Sequence, residues 1–354
     1  MESIVLFIST FGVLTFLIVL FFDFFIASPS YRGRITDHFD GRAFHGMNML
    51  HRIIDDYPKV KFLRALFWLL LRPKSKWQCR KNNHISMPEK RVESEKISVT
   101  FVNHSTVLLQ AYGLNILTDP VWSRRVSPFS FLGPKRYMEP GVTLENLPRI
   151  DYILISHNHY DHMDINTLRK IYKKYRPKIF VPLGNSLYLA KKGIIGAEDM
   201  DWWDKKSLTE EVKLTCVPAE HFSSRAFSDR NKTLWCGFVL ETKRGNIYFS
   251  GDTASGKFSD KIKEKYEKFL LGFIPVAVWK PEWLMRPVHI SPDDAFDLHK
   301  KLNIETTIGI HHGTFKLSDD GQDDGPDRIR FLVKNSLPKI VDFRILENGQ
   351  TVLI

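Results

Sequence analysis

The stretch Ser156-His157-Asn158-His159-Tyr160-Asp161-His162-Met163-Asp164 limits the architecture more than any other part of the chain. It follows an apolar run at 152–156 and precedes an amphipathic stretch, Ile165–Tyr175. A β-rich apolar run that passes at once into a helical period belongs to a sheet covered by helices, so the expected fold class is α/β. In extended chain, positions 157, 159 and 161 project to one side and 162 to the other. Three imidazoles and a carboxylate therefore converge at a strand end. These are the nitrogen and oxygen ligands zinc prefers. A lone histidine would be read as structural, but this density at the end of a buried strand is not explained by core packing. Such a loop begins two adjacent metal sites.

The remaining ligands are expected at other strand ends, where α/β sheets gather their ligands. His221 follows Val-Pro-Ala-Glu, Asp252 stands in Ser-Gly-Asp-Thr, and His311 opens His-His-Gly-Thr. Each is weak alone. Together they complete two four-ligand sites if Asp252 bridges. Alternating apolar runs predict strands at 97–110, 115–118, 152–156, 178–182, 212–217, 234–241, 246–250, 273–278, 306–310 and 342–346. Helical periods fall at 165–175, 186–192, 260–271, 292–302 and 327–335, and Ser291-Pro292 is a good start for the fourth of these. The reading is one catalytic domain over 97–354, with 72–96 as a linker in front of it.

The first part of the chain has a different character. Residues 4–22 are almost wholly apolar, and about 20 such residues suffice to cross a bilayer as a helix. No Lys or Arg precedes the run, which disfavours a cleaved signal peptide. Residues 1–26 are therefore expected to be a single-pass transmembrane anchor. Arg32, Arg34 and Arg42 follow it, which predicts a cytoplasmic catalytic domain. Of the net charge of +11, residues 27–91 carry 14 Lys/Arg against 5 Asp/Glu, so 27–96 reads as a basic membrane-proximal segment. Within it, 59–81 holds eight basic and no acidic residues around an apolar centre, a pattern suited to a helix in the headgroup layer, with a core helix as the alternative. The expected partners are membrane lipids and an anionic bilayer surface, not nucleic acid. Cys79, Cys216 and Cys236 form no C-x-x-C pair, which fits a reducing compartment.

The order H-x-H-x-D-H, a lone His, a Gly-Asp-Thr aspartate and a late His resembles the metallo-β-lactamase superfamily. Further motifs narrow the likeness: Gly133–Tyr137 (GPKRY), FVPLG, DWWDK, the N-K-x-L-W run from Asn231, P-x-H-x-x-P-x-x-A around His289, and I-H-x-G-T-F around His311. This set resembles the N-acyl-phosphatidylethanolamine-hydrolysing phospholipase D branch, bacterial-type homologues included, in order from Ser98 to the C-terminus. The resemblance implies a metallo-β-lactamase αββα sandwich behind the expected transmembrane helix, and a site for two Zn2+. His157, His159 and His221 would hold one ion. Asp161, His162 and His311 would hold the other, with Asp252 between them. Asp161 and His289 are the implied catalytic residues. Asp119 would support a ligand, and His104 matches an early motif. His312 would line the site rather than ligate. Tyr160, Lys135 and Arg136 are candidates for substrate contact.

The implied function is a zinc-dependent phosphodiesterase of phospholipase D type acting on N-acyl-phosphatidylethanolamine-like lipids. The alternative is a related metallohydrolase of a soluble phosphodiester or a sugar-phosphate lactone. A third reading, a non-enzymatic protein with a relict site, is opposed by the complete ligand set. The sequence has no G-x-S-x-G elbow and no glycine-rich phosphate loop, so serine-hydrolase and nucleotide-loop chemistry have no support.

Overall fold

A computed structural model describes residues 17–18, 20–21, 23–47, 67–68, 71, 75–82, 85–93, 96–336 and 341–354. Among these, fourteen strands form two sheets of seven. The first sheet contains β1 (Ser98–Asn103), β2 (Thr106–Ala111), β3 (Leu114–Thr118), β4 (Tyr152–Leu154), β5 (Lys178–Pro182) and β6 (Ala197–Met200). The second contains β7 (Lys205–Ser207), β8 (Lys213–Val217), β9 (Gly237–Thr242), β10 (Gly245–Phe249), β11 (Phe269–Pro275), β12 (Ile304–Ile310) and β13 (Asp342–Arg344). The last strand, β14 (Thr351–Leu353), returns to pair with β1 at the edge of the first sheet. Each sheet opens with antiparallel hairpins and continues with parallel strands, β3 to β6 in one and β10 to β13 in the other.

The period-2 alternation of these strands decides which side chains meet. Val107 and Leu109 of β2, Phe238 and Leu240 of β9, Ile247 and Phe249 of β10, and Ile308 of β12 share one core between the sheets. The intervening residues turn outward. Leu108 packs with Leu168 and Ile171 of helix α1 (Ile165–Tyr175) and Leu189 of α2 (Asn185–Lys191). On the other sheet, Val239, Tyr248 and Ile274 pack with Ile262 of α3 (Phe258–Lys265), Phe296 of α5 (Pro292–Lys301) and Ile329 of α6 (Asp324–Lys334); α4 is the short turn Glu282–Met285. Helix, sheet, sheet and helix therefore stack as an αββα sandwich, as expected.

Several described residues ahead of 97 are built into this body. Phe39 and Phe44 are fully enclosed in the inter-sheet core, and Phe44 N donates to Asn231 O at 2.8 Å. Trp77 Nε1 donates to Asp320 O at 2.9 Å, and Arg91 pairs with Asp151 at 2.8 Å. Removing the Phe44 ring should leave a cavity beside Phe39 and Tyr31. Phe44→Ala should cost about 3–5 kcal/mol of unfolding free energy. Chemical denaturation checks this, and a loss under about 1 kcal/mol would mean that the segment detaches without consequence.

Three expectations need correction. Among the described residues no helix is long and apolar enough to cross a membrane. That finding overturns the single-pass anchor and the cytoplasmic orientation reasoned from it. Within 4–22 only positions 17, 18, 20 and 21 are described, and the rest lies outside the described residues. The expected basic helix at 59–81 also falls mostly outside them. The expected strand 97–110 is two strands, split by a turn in which His104 takes φ 50°. The expected helix 260–271 ends at Lys265, because Phe269–Pro275 lies between β10 and β12. A strand buried on both faces carries a continuous apolar run, and its sequence pattern does not separate it from a buried helix.

Candidate metal centre

The carboxyl ends of β3, β4, β10 and β12, and the loop after β8, deliver the site. The β4 loop carries His157, His159, Asp161 and His162. Asp119 follows β3, His221 follows β8, Asp252 follows β10 and His311 follows β12. The turn into Asp252 needs a glycine. Gly251 has φ 59°, and a Cβ there would lie 2.5 Å from the Cβ of Ser156, in space a side chain cannot share.

The donor atoms fall into overlapping groups. His157, His159 and His221 form one. His104, Asp161, His162 and His311 form a second, His157, His162 and Asp252 a third, and His221, Asp252 and His289 a fourth; within each, the ligand atoms lie within 4.8 Å of one another. His157 Nε2 and His159 Nδ1 are 2.8 Å apart, and His221 Nε2 is 3.2 Å from the same His159 nitrogen. Asp252 Oδ2 sits 3.1 Å from His311 Nε2, 3.2 Å from His162 Nε2 and 3.8 Å from His221 Nε2. Asp252 thus faces both halves of the cluster. All seven residues expected as ligands are brought together.

Hydrogen bonds behind these residues fix which nitrogen points inward. His162 Nδ1 donates to Asp119 Oδ2 at 2.7 Å. Ser156 donates to the same carboxylate through N and Oγ, both at 2.7 Å. The Ser156 hydroxyl is then left to accept from His157 Nδ1 at 2.9 Å. His221 Nδ1 donates to Val288 O at 2.7 Å. His157, His162 and His221 therefore all present Nε2 to the cluster, in the outer hydrogen-bonding pattern that orients metal-binding imidazoles.

The donor set fits metal ions. His162 Nε2, His311 Nε2 and Asp252 Oδ1 are buried and make no hydrogen bond. Two of them lie within about 3.2 Å of Asp252 Oδ2, but the angles are not those of hydrogen bonds. The atoms aim at shared space, as ligands do. Burial and the neighbouring imidazoles hold His157 well below its usual range, and burial pushes His159 down to about 3. Burial likewise lowers His221. This half of the site offers neutral nitrogen lone pairs. Burial opposes charge on the other half as well, but Asp252 and Asp161 overcome it, raising His162 and carrying His311 up to about 9. Burial is likewise outweighed at Asp161 and Asp252, where His162 acts first to hold both carboxyls far below the usual range. This half pairs two carboxylates with two imidazoles that hold their protons, and bound cations would take the place of those protons.

His289 stands at the cluster's edge, its Nδ1 3.9 Å from Asp252 Oδ2 and its ring 5.0 Å from that of His221. Burial, against the pull of Asp252, pushes it down to about 4. His104 has a larger part than its motif suggested: its Nε2 donates to Asp161 Oδ2 at 2.9 Å. His312 points elsewhere and stacks on Phe101 at 5.1 Å. Tyr160 donates its hydroxyl to Arg225 O. Lys135 is exposed and lies over the Tyr137 ring. Arg136 is buried, and its guanidinium is spent on Asn103 Oδ1 and the carbonyls of Val121, Ser123 and Met138. Lys135 and Arg136 thus sit outside the donor groups. The Val288 carbonyl was not legible in sequence, since a backbone acceptor brought in from 67 residues away leaves no local signal.

A family model for the beta-lactamase superfamily domain matches residues 114–312. The chain belongs to that superfamily, and it carries a His/Asp cluster able to bind metal. Among curated proteins it is similar to an N-acyl-phosphatidylethanolamine-hydrolyzing phospholipase D of Caenorhabditis elegans, at 38% identity over 62% of this chain and 64% of that one. It is also similar to the mitochondrial N-acyl-phosphatidylethanolamine-hydrolyzing phospholipase D of Saccharomyces cerevisiae, at 35% identity over 66% of this chain and 52% of that one. The matched region is thus less than two thirds of either relative's length. A solved metallo hydrolase of Ignicoccus hospitalis shares the fold, with a TM-score of 0.56 and 21% identity over 73% of this chain and 98% of that one.

Proposed function

We propose that this protein is a dinuclear zinc hydrolase that cleaves N-acyl-phosphatidylethanolamine-like phospholipids on the head-group side of phosphorus. The observation that carries the reading is the position of Asp252, whose Oδ2 faces His162, His311 and His221 at once. His157, His159 and His221 would hold one ion; Asp161, His162 and His311 would hold the other; Asp252 would be shared. Zinc is favoured by an imidazole-rich set with carboxylate support. When bound, such a pair supplies Lewis acidity at phosphorus and a water acidic enough to ionise at neutral pH. The named relatives support the lipid class of the substrate.

The chain's own groups do the rest. His104 holds the Asp161 carboxylate, and Asp119 with Ser156 fixes His162 and His157. These contacts keep the donors preorganised. A phosphodiester anion arriving beside His289 favours the protonated imidazole. His289 then stands ready to give its proton to the departing alcohol.

Incubation with the lipid in ¹⁸O-water is the test. The expected products are a phosphatidic acid carrying the label and an unlabelled N-acylethanolamine, identified by mass spectrometry. Label in a released fatty acid would show ester cleavage instead. No turnover of any phospholipid, with rapid turnover of a soluble phosphodiester or lactone, would overturn the assignment.

A further inference from the structure

A cavity of about 200 Å³ opens beside Tyr160, on the outer side of the β4 loop. Its lining includes four cations, Arg125, Arg169, Lys192 and Arg225. Among the described residues none of the four forms an ion pair. One carboxylate, Asp164, also lines the cavity, and it is fully engaged. It caps α1 through the amides of Asn166 and Thr167 and accepts from Ser123 Oγ at 2.8 Å. Asp229, behind Arg225, is spent on the backbone amides of Ser28, Arg225 and Ala226.

The cations are fixed in place. Arg225 is buried, with its guanidinium carbon 3.9 Å from the centre of the Tyr160 ring and 4.9 Å from that of Tyr188. Its Nη1 donates to Asn158 O and Met163 O, while its Nε is enclosed without a hydrogen-bond partner. Arg169 Nε donates to Lys192 O at 2.7 Å, and Lys192 Nζ reaches Phe25 O at 3.4 Å. Burial first, then Arg225 and Arg169, lower the Lys192 ammonium. Four cations against one carboxylate in the lining leave an excess of positive charge, which forms a receptor for an anion.

The rim indicates where that anion comes from. Three separate segments border the cavity, and each carries a large apolar side chain in solvent. Ile26 lines the cavity, and Phe24 just before it is 80% exposed. Ser127 and Pro128 line it, and Phe131 beyond them is 77% exposed. Arg225 lines it, and Phe227 is 85% exposed. The Phe227 amide is tied to Asp23 Oδ1 at 2.6 Å, which draws the first and third segments together. Scattered apolar residues on a surface need no explanation, but exposed phenylalanines on three segments that each line one cationic pocket do. A free phosphate accounts for the cations and leaves the aromatic rim unexplained. A phospholipid accounts for both, since aromatic side chains settle at the bilayer interface and cations beside them attract anionic headgroups.

We propose that this cavity receives the phosphate of an anionic phospholipid at a bilayer surface, while Phe24, Phe131 and Phe227 enter the headgroup layer around it. Tyr160 is shared by the cavity and the loop bearing His159 and Asp161. Occupation would therefore bring the catalytic loop to the membrane face. The site is distinct from the His/Asp cluster, and its binding is independent of the reaction proposed above.

The test is vesicle binding by the full chain at several salt concentrations, with phosphatidylcholine vesicles that contain or lack phosphatidic acid. The wild type should prefer the acidic vesicles, and the preference should fade with salt. An Arg169→Gln/Lys192→Gln double variant should lose about tenfold or more of that preference, from two cations removed near the surface. A Phe131→Ser/Phe227→Ser double variant should bind acidic vesicles more weakly, yet bind inorganic phosphate as the wild type does in calorimetry. Unchanged metal content and melting temperature establish that the variants are folded. An undiminished preference in the Arg169/Lys192 variant overturns the proposal. So does phosphate binding that depends on these cations without any dependence of vesicle binding on Phe131 and Phe227, because the source is then soluble phosphate.

Discussion

Replacing Asp252 by asparagine should give a folded protein that has lost most of its metal from both halves of the site. Elemental analysis of the wild type should find about two ions per chain, by the two-metal reading of the cluster. The variant should retain less than half of that, and hydrolysis should fall more than about 100-fold, since even outer-shell losses at metal sites cost 10–100-fold. Geometry is the reason. Asp252 Oδ2 lies within hydrogen-bonding range of two imidazole nitrogens of one group and 3.8 Å from His221 of the other. Asparagine preserves shape but removes the charge that balances two cations. His311→Ala should lose one ion and keep the other. His312→Ala should keep both, because His312 is stacked on Phe101 away from the donors. If His312→Ala strips metal while His311→Ala does not, the choice between these neighbours is wrong. If Asp252→Asn loses one ion only, the carboxylate does not bridge.

How much of this was legible in the sequence follows from how local each signal is. The β4 loop concentrates four donors in six residues, so its convergence could be read without a fold. His221, Asp252 and His311 needed one more step, the rule that ligands gather at carboxyl ends of strands, and the strands ahead of them were apolar enough to find. The edge strands β6, β7 and β14 were not found. All three are short, and two of them, Ala-Glu-Asp-Met and Lys-Lys-Ser, are polar, as edge strands are when they resist pairing with other chains. β11 was mistaken in part for helix, because Phe269–Pro275 is buried on both faces and has no alternation to read. Charge could not distinguish roles either. Arg136 was a candidate for substrate contact, and its guanidinium braces Asn103 and three carbonyls inside the protein. Arg169 and Lys192, unremarkable in sequence, are brought to one cavity by the packing of α1 against α2. The N-terminal segment was judged by its charge, which hid the two phenylalanines that carry it into the core.

His289→Ala should separate chemistry from metal binding. The side chain is near the cluster, with its Nδ1 3.9 Å from Asp252 Oδ2. Its backbone N donates to Met285 O, and it sits just ahead of the Ser291 cap of α5. Its main chain is thus held without the ring. The variant should keep about two ions per chain, as the two-metal site requires. Its kcat should fall by about 10²–10⁴, the usual worth of a positioned proton donor, with KM little changed. The diagnostic is the leaving group. An N-acylethanolamine alkoxide needs a proton as it departs, whereas a nitrophenolate does not. On an analogue with a nitrophenyl leaving group the variant should recover most of the lost rate relative to wild type. An equal loss on both substrates would make His289 a positioning residue. Loss of metal from the variant would make it a ligand, and the proton would then have to come from elsewhere.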